Sequence, residues 1–357
     1  MRFFFILAIL CGTLQLPAEE PGQQEYRLGL NLFEGLNGSV QDREAAFPFF
    51  KQAAARGNAD AQYRLGHCYE FGFGTPKEPA KAREAYEQAA KQGHTEALFR
   101  LGNCHYVGLG TPQDYARALE CFRKAAEQGN ADALMSVGFC YENGTGVEKN
   151  PKLAFEYYSK AANAGLSLGQ YYLGRCYYHG KGTTKDYAKA VELFRKSIQS
   201  ESRLCRGLGY FSLGLCCLTG KGVEKNREEA FRCFRNAADS YHNEARLLTG
   251  VMYLRGIGTQ ADPAEAFRQL SLVRRSPAAD YLVGMCYFQG TGTAKNAKLA
   301  FQSFRKAADG GSADAMNMLA LCYRKGIGTS PNPDKSEFWK KHAARSGRKF
   351  SLVHLTE

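Results

Sequence analysis

The chain has 357 residues, of which 44% are apolar and 12 are cysteines, with 47 Lys plus Arg against 35 Asp plus Glu, a formal surplus of 12 positive charges. That length is too great for one compact hydrophobic core, so the chain must divide into domains or be built from units that touch only their neighbours. The basic balance admits nucleic acid or an anionic envelope surface as partners.

In chain order, residues 1–18 read as a secretion signal. Arg2 supplies the charged end, Phe3 to Leu10 the apolar stretch, and Leu16-Pro17-Ala18 a small-residue cleavage site. A membrane anchor is the rival, but a span needs about 20 apolar residues, and Gly12, Thr13 and Gln15 interrupt this run. A lipid-modified Cys11 is disfavoured because Leu10 is large for the small-residue site. The expected mature chain is secreted or periplasmic, has no membrane span, and carries 46 minus 35, or 11, surplus positive charges. Export makes nucleic acid the weaker partner and leaves weak contact with an anionic surface open.

From Glu25 onward one pattern recurs. Its clearest copy is ADALMSVGFCYENGTGVEKNPKLAFEYYSKAANAG, Ala131 to Gly165. The anchor Gly falls at 66, 102, 138, 174, 214, 250 and 284, with Ala320 in the eighth slot; the steps are 36, 36, 36, 40, 36, 34 and 36 residues. A Gly-x-Gly pair begins six residues after each anchor, and Glu78, Asp114, Asn150, Asp186, Asn226, Asp262, Asn296 or Asn332 lies four past its second Gly. Each copy predicts two helices. Ala133, Val137, Cys140 and Tyr141 form an apolar stripe at helical spacing, Gly144 ends that helix, and Asn150-Pro151 caps and starts the next. Ala154, Phe155, Tyr158, Ala161 and Ala162 share a face of the second helix, which stops at Gly165. One hairpin cannot cover its own stripe, whereas stacked neighbours can.

Residues 25–57 are a ninth, worn copy in which Pro48 is expected to kink the second helix. Regular copies follow at 58–93, 94–129, 130–165 and 166–202, then 203–240, 241–276, 277–311 and 312–347. Four residues are added after Ser197, which predicts a longer turn, and two are lost between Ser271 and Pro277, with Pro277 expected to start a turn. Residues 348–357 form a tail whose Phe350, Leu352, Val353 and Leu355 are placed to cap the last repeat.

The motif Ala-x-x-x-Leu-Gly-x-x-Tyr, Gly-x-Gly, Asp/Asn, then Lys-Ala-x-x-x-Phe/Tyr-x-Lys-Ala-Ala, carried fully by 133–162 and 169–197, resembles the Sel-1-like repeat, a relative of the tetratricopeptide repeat. The resemblance implies an all-α, right-handed α-solenoid of about nine antiparallel helix pairs that acts as a scaffold for protein or peptide partners, with no common catalytic residue and no cofactor.

If such a superhelix curves like its relatives, first-helix positions three before, one after and four after the anchor line a concave face. The expected partner-binding residues are Tyr171, Arg175, Tyr178, Phe211, Leu215, Leu218, Leu247, Val251, Leu254, Tyr281, Met285 and Phe288. From Phe211 to Phe288 this stripe carries no polar group beyond the Tyr281 hydroxyl, with Arg175 and Arg324 flanking it. Two readings stand: a groove for a partner peptide or helix, or residues buried by tight curvature.

Seven cysteines, at 68, 104, 140, 176, 216, 286 and 322, fall in one column two residues after the anchor, with Met252 in the remaining slot. Interchange with Met marks a buried small apolar position. Neighbouring members, about one helix spacing apart, are too distant to bridge one another. Cys104 with Cys121 and Cys216 with Cys233 share a 17-residue offset. Either they form two intra-repeat disulfides, or Cys121 and Cys233 replace the aromatic seen at Tyr157. Cysteine-rich relatives carry bridges between cysteines about eight residues apart, a spacing absent here. No metal site is expected, since the cysteines do not converge and the histidines are scattered. Ser303-Phe304-Arg305-Lys306 imitates the Ser-x-x-Lys of penicillin-recognising enzymes, and a secreted hydrolase of cell-wall-like amides is the alternative to a scaffold; repeat drift from Cys121-Phe122-Arg123-Lys124 also explains it.

Overall fold

A computed structural model describes residues 21–346; the expected leader and the capping tail lie outside them. The chain divides into two compact units, Met1–Leu166 and Ser167–Glu357. Eighteen helices and no strand occur among the described residues, arranged as nine consecutive pairs.

The first unit holds four pairs: α1 (Gln23–Glu34) with α2 (Arg43–Ala55), α3 (Ala59–Phe71) with α4 (Pro79–Lys91), α5 (Thr95–Val107) with α6 (Tyr115–Glu127), and α7 (Ala131–Asn143) with α8 (Pro151–Asn163). The second holds five: α9 (Ser167–His179) with α10 (Tyr187–Ser197), α11 (Arg203–Thr219) with α12 (Arg227–Asp239), α13 (Asn243–Arg255) with α14 (Pro263–Ser271), α15 (Pro277–Gln289) with α16 (Ala297–Asp309), and α17 (Ala313–Lys325) with α18 (Pro333–Ser346).

The anchor glycine is where the two helices of a pair meet. A Cβ on Gly214 would stand 2.7 Å from Cε1 of Phe234, and one on Gly102 would stand 2.6 Å from the Phe122 ring. The ring lies 20 residues past the anchor, at Tyr86, Phe122, Tyr158, Phe194, Phe234 and Phe304, and every one of these side chains is at most 2% exposed. A mid-helix Gly ordinarily costs about 1 kcal/mol against Ala; here it admits a fully buried aromatic side chain. Ala320 fits the same rule, because 20 residues on stands the exposed Lys340 rather than a ring.

Within each unit the second Gly of a Gly-x-Gly pair links one helix pair to the pair before it, as at Gly110, Gly146, Gly222, Gly258, Gly292 and Gly328. Gly258 has φ 65°, and a Cβ there would fall on the carbonyl of Arg227, the first residue of α12. Both the left-handed backbone and the close approach demand Gly. The predicted caps form as well: Asp186 accepts the amide of Lys189 at 3.0 Å, and Asn150 that of Leu153 at 3.0 Å. Glu78 makes no such bond and relies on Pro79 at the first helical position.

Two local expectations are corrected. The four residues inserted after Ser197 lengthen the next helix, not simply the turn: α11 has 17 residues where α13 has 13. Cys205 is buried in the added turn and Gly209, one turn on, packs against Ser197 and Ile198, so the packed face continues at helical spacing. Pro277 opens α15 rather than a turn, behind Ser276, whose hydroxyl accepts the amide of Ala279. The helix containing Pro48 runs on through Ala55.

Candidate functional site

All twelve expected partner-binding residues lie in the second unit, on its first helices α9, α11, α13 and α15. Nine are half-buried. Tyr171 (9% exposed), Leu218 (9%) and Val251 (2%) are buried, so the stripe is not the evenly open groove the spacing suggested. Val251 is short and branched and sits one turn from both Leu247 and Leu254, which leaves those longer side chains nearer the surface.

The polarity of the position four past the anchor has a structural cause. Where the second helix supplies a Tyr, that position is Glu: Tyr86 Oη donates to Glu70 Oε2 at 2.5 Å, and Tyr158 Oη to Glu142 Oε2 at 2.8 Å. A buried hydroxyl without a partner is costly, and the Glu supplies one. Where the second helix supplies Phe194, Phe234 or Phe304, no hydroxyl needs satisfying, and the same position is Tyr178, Leu218 or Phe288. The second unit therefore has an apolar first-helix face where the first unit has carboxylates at two positions.

Between α9 and α11 this face opens into a cleft of about 160 Å³, lined by Tyr171, Arg175, Tyr178, His179, Phe194, Phe211, Ser212 and Leu215. Phe194 forms its buried floor. Phe211 is held by stacking on His242, with ring centroids 4.3 Å apart, and His242 itself caps α13 by accepting the Ala245 amide at 3.2 Å. Tyr171 of α9 and Ser212 of α11 line the same opening from opposite sides. The cleft walls thus come from both helices.

Its rim is positive. Arg175 lies over the rings of Tyr172 (5.2 Å) and Tyr171 (5.9 Å). Lys221 lies over Tyr178 (5.1 Å) and Tyr187 (5.5 Å), with Nζ 3.4 Å from the Tyr178 hydroxyl. Among the described residues neither cation makes an ion pair with a carboxylate. His179 is pushed below the ordinary imidazole range by partial burial and then by Arg175, Lys181, Lys221 and Lys185. The imbalance extends through the unit: residues 167–346 hold 28 Lys and Arg against 15 Asp and Glu, whereas residues 21–166 hold 16 against 17. Nearly the whole basic surplus belongs to the unit that carries the cleft.

A wider cleft in the first unit, about 510 Å³ near Leu98, Leu101 and Cys121, differs in kind. Its lysines are neutralised on their own helices, Lys91 by Glu87 (3.1 Å) and Lys124 by Glu120 (2.7 Å).

Of the two readings left open for Cys121 and Cys233, the structure shows free thiols rather than bridges to Cys104 and Cys216. All eleven cysteines among the described residues are free, and the Cys233 thiol donates to Glu229 Oε1 at 3.8 Å, one turn back on its own helix. Cys104 and Cys216 instead fill the apolar interior, at 1% and 0% exposure, and burial pushes both thiols up to about 12. Cys121, half-buried beside Cys104, is pushed up to about 11. Among the described residues no group of three or more His, Cys, Asp or Glu could hold a metal ion, and no helix is long and apolar enough to cross a membrane. Lys306 is not poised on Ser303: its Nζ sits 2.7 Å from Asp280 on α15, the first helix of the same pair.

Sequence reasoning missed Lys221, His179, Phe194, Ser212 and His242. The charge split between halves was countable in the sequence, and Lys221 recurs with Lys181 between the glycines of Gly-Lys-Gly; both signals were available. The stacking of His242 on Phe211, 31 residues earlier, recurs as His94 on Tyr63 at the same offset, so it too left a mark in the sequence.

The Sel1 repeat model matches residues 25–58, 59–94, 95–130, 131–166, 167–202, 207–242, 243–268, 277–312 and 313–347. Among solved structures the chain is similar to c5321, a protective antigen of uropathogenic Escherichia coli strains displaying an SLR fold, with 27% identity and a TM-score of 0.54 over 97% of this chain and 81% of that one. It is also similar to a Sel1 repeat protein from Oxalobacter formigenes, with 29% identity and a TM-score of 0.62 over 70% and 99%. DAP3-binding cell death enhancer 1 of Rattus norvegicus is 40% identical over 74 residues, and the chain spans only 14% of that protein's length.

Proposed function

The chain belongs to the Sel1 repeat family, and from that premise we propose that it is an exported scaffold whose second unit holds a partner protein, as a peptide or helix, on its first-helix face. Proteins of this family are generally protein-interaction scaffolds. The observation that carries the reading is the cleft between α9 and α11, continued by half-buried Leu247, Leu254, Tyr281, Met285 and Phe288 along the same face. Apolar surface of that extent, rimmed by charge, is the usual form of an interaction site.

Export rests on the charged, apolar and small-residue segments of residues 1–18. The E. coli neighbour is described as a protective antigen, a description that suits a chain leaving the cytoplasm. Any contact with an anionic surface would be weak and lost at moderate salt.

The test is recovery of a partner from the native envelope by cross-linking, with the wild type and with a Leu215→Asp, Leu254→Asp, Met285→Asp triple variant. The triple variant is expected to keep its helical circular dichroism and lose capture; unchanged capture refutes the assignment of this face. Turnover of a chromogenic β-lactam that disappears on Ser303→Ala would instead favour the hydrolase.

A further inference from the structure

The cleft has a size and a charge, and together they name a class of partner. A cavity of about 150 Å³ holds a benzene-sized group, whereas pockets for whole small molecules run from about 300 to 1,000 Å³. The 160 Å³ between α9 and α11 therefore suits one side chain of a larger partner. Its walls, Tyr171, Tyr178, Phe211 and Leu215, are aromatic or aliphatic. Its rim carries Arg175 and Lys221, each packed on tyrosine rings and neither paired with a carboxylate.

Building on the scaffold reading, we propose that this cleft receives an acidic peptide segment with one aromatic side chain. The ring enters between Tyr171 and Phe211, and flanking Asp or Glu residues meet Arg175 and Lys221. The charge distribution favours this over a neutral partner. The cleft's unit carries 28 basic against 15 acidic residues, while the first unit, with 16 against 17, is balanced. An acidic segment is thus drawn to the second unit and not to the first. Stacking on tyrosine holds both cations beside the cleft, which lowers the cost of ordering them when a carboxylate arrives.

The test uses the full chain and four fluorescein-labelled peptides of equal length: a central Phe flanked by Asp and Glu, the same peptide with Ser for Phe, a Phe peptide flanked by Lys, and a Phe peptide flanked by Ser. By fluorescence anisotropy the acidic Phe peptide should bind at least tenfold tighter than the other three, about what burying one aromatic ring or satisfying two charges provides. Its affinity should fall roughly tenfold between 50 and 300 mM salt. Arg175→Glu with Lys221→Glu should reverse the preference toward the Lys-flanked peptide, and that reversal also shows that the variant is folded. Equal binding of the Phe and Ser acidic peptides would mean charge attraction without a seat for the ring and would overturn the proposal. Preference for the neutral Phe peptide would overturn it while leaving a partner on this face. If no peptide binds but the native partner is captured through Leu215, Leu254 and Met285, the scaffold reading stands and this one falls.

Discussion

The hydroxyl of Tyr86, buried at 0% exposure, donates a hydrogen bond to Glu70 Oε2 at 2.5 Å, joining the two helices of one repeat. Burial and this bond push the tyrosine well above its ordinary range. The relationship decides which repeats have a polar first-helix face, since Glu accompanies Tyr and an apolar or aromatic side chain accompanies Phe. Glu70→Leu should cost about 1–3 kcal/mol by orphaning the hydroxyl, and Tyr86→Phe should cost less. The double variant, which recreates the Leu218–Phe234 pairing of the fifth regular copy, should recover most of the loss in a urea-unfolding double-mutant cycle.

The anchor glycine gives a second expectation. Gly214→Ala should destabilise the protein by about 1–3 kcal/mol, because a Cβ overlaps the Phe234 ring, although Ala is the better helix former. Ala320→Gly, where no ring is opposed, should cost about 1 kcal/mol through helix propensity alone. Thermal melts of both variants check the pair, and a stabilised Gly214→Ala would remove the explanation for the column.

Free thiols follow from the cysteine column. The eleven described cysteines should all react in denaturant. In the native state Cys68, Cys140 and Cys322 should react slowly, being buried and pushed up to about 11. Seven reactive thiols in the denatured mature chain would mean that two bridges form after all.

Acid should weaken the fold. His67 packs against Phe71, ring centroids 4.5 Å apart, with a buried Nδ1 that has no partner among the described residues. Burial, then the charges of Arg100, Arg64 and Arg43, lowers it from 6.5 to about 4. Its folded pKa is depressed, so between these values the unfolded chain binds more protons. The stabilising contribution is full above pH 6.5 and is lost as the pH falls toward 4, on the order of 2 kcal/mol. His105, His179 and His242 are lowered too and act in the same sense. Urea unfolding at pH 7.5 and 4.5 should show this loss, reduced in His67→Phe; an equal loss in the variant would exonerate His67.

Most of the fold was legible because the repeat writes the same local physics many times. Anchor, Gly-x-Gly and cap recur in register, and eight copies average out drift. What escaped was specific to single copies. The extension of α11 required knowing that the inserted Cys205 and, one turn on, Gly209 face a packed surface. Within the candidate site, spacing identified the face but not the exposure of each residue: Val251 and Leu215 occupy the same repeat position, yet one is core and the other lines a cleft. The rim cations belong to different elements, Arg175 to α9 and Lys221 to the turn after α11, so only the fold brings them to one opening.

The central claim, that the second unit holds a partner on its first-helix face, is tested most directly by a photo-cross-linking amino acid placed at Leu215, with the same group at exposed Lys152 of α8 as control. A discrete adduct with one protein from Leu215, absent from Lys152 and suppressed by Arg175→Glu with Lys221→Glu, is the predicted result. Adducts that form from Lys152 but never from Leu215 would contradict it.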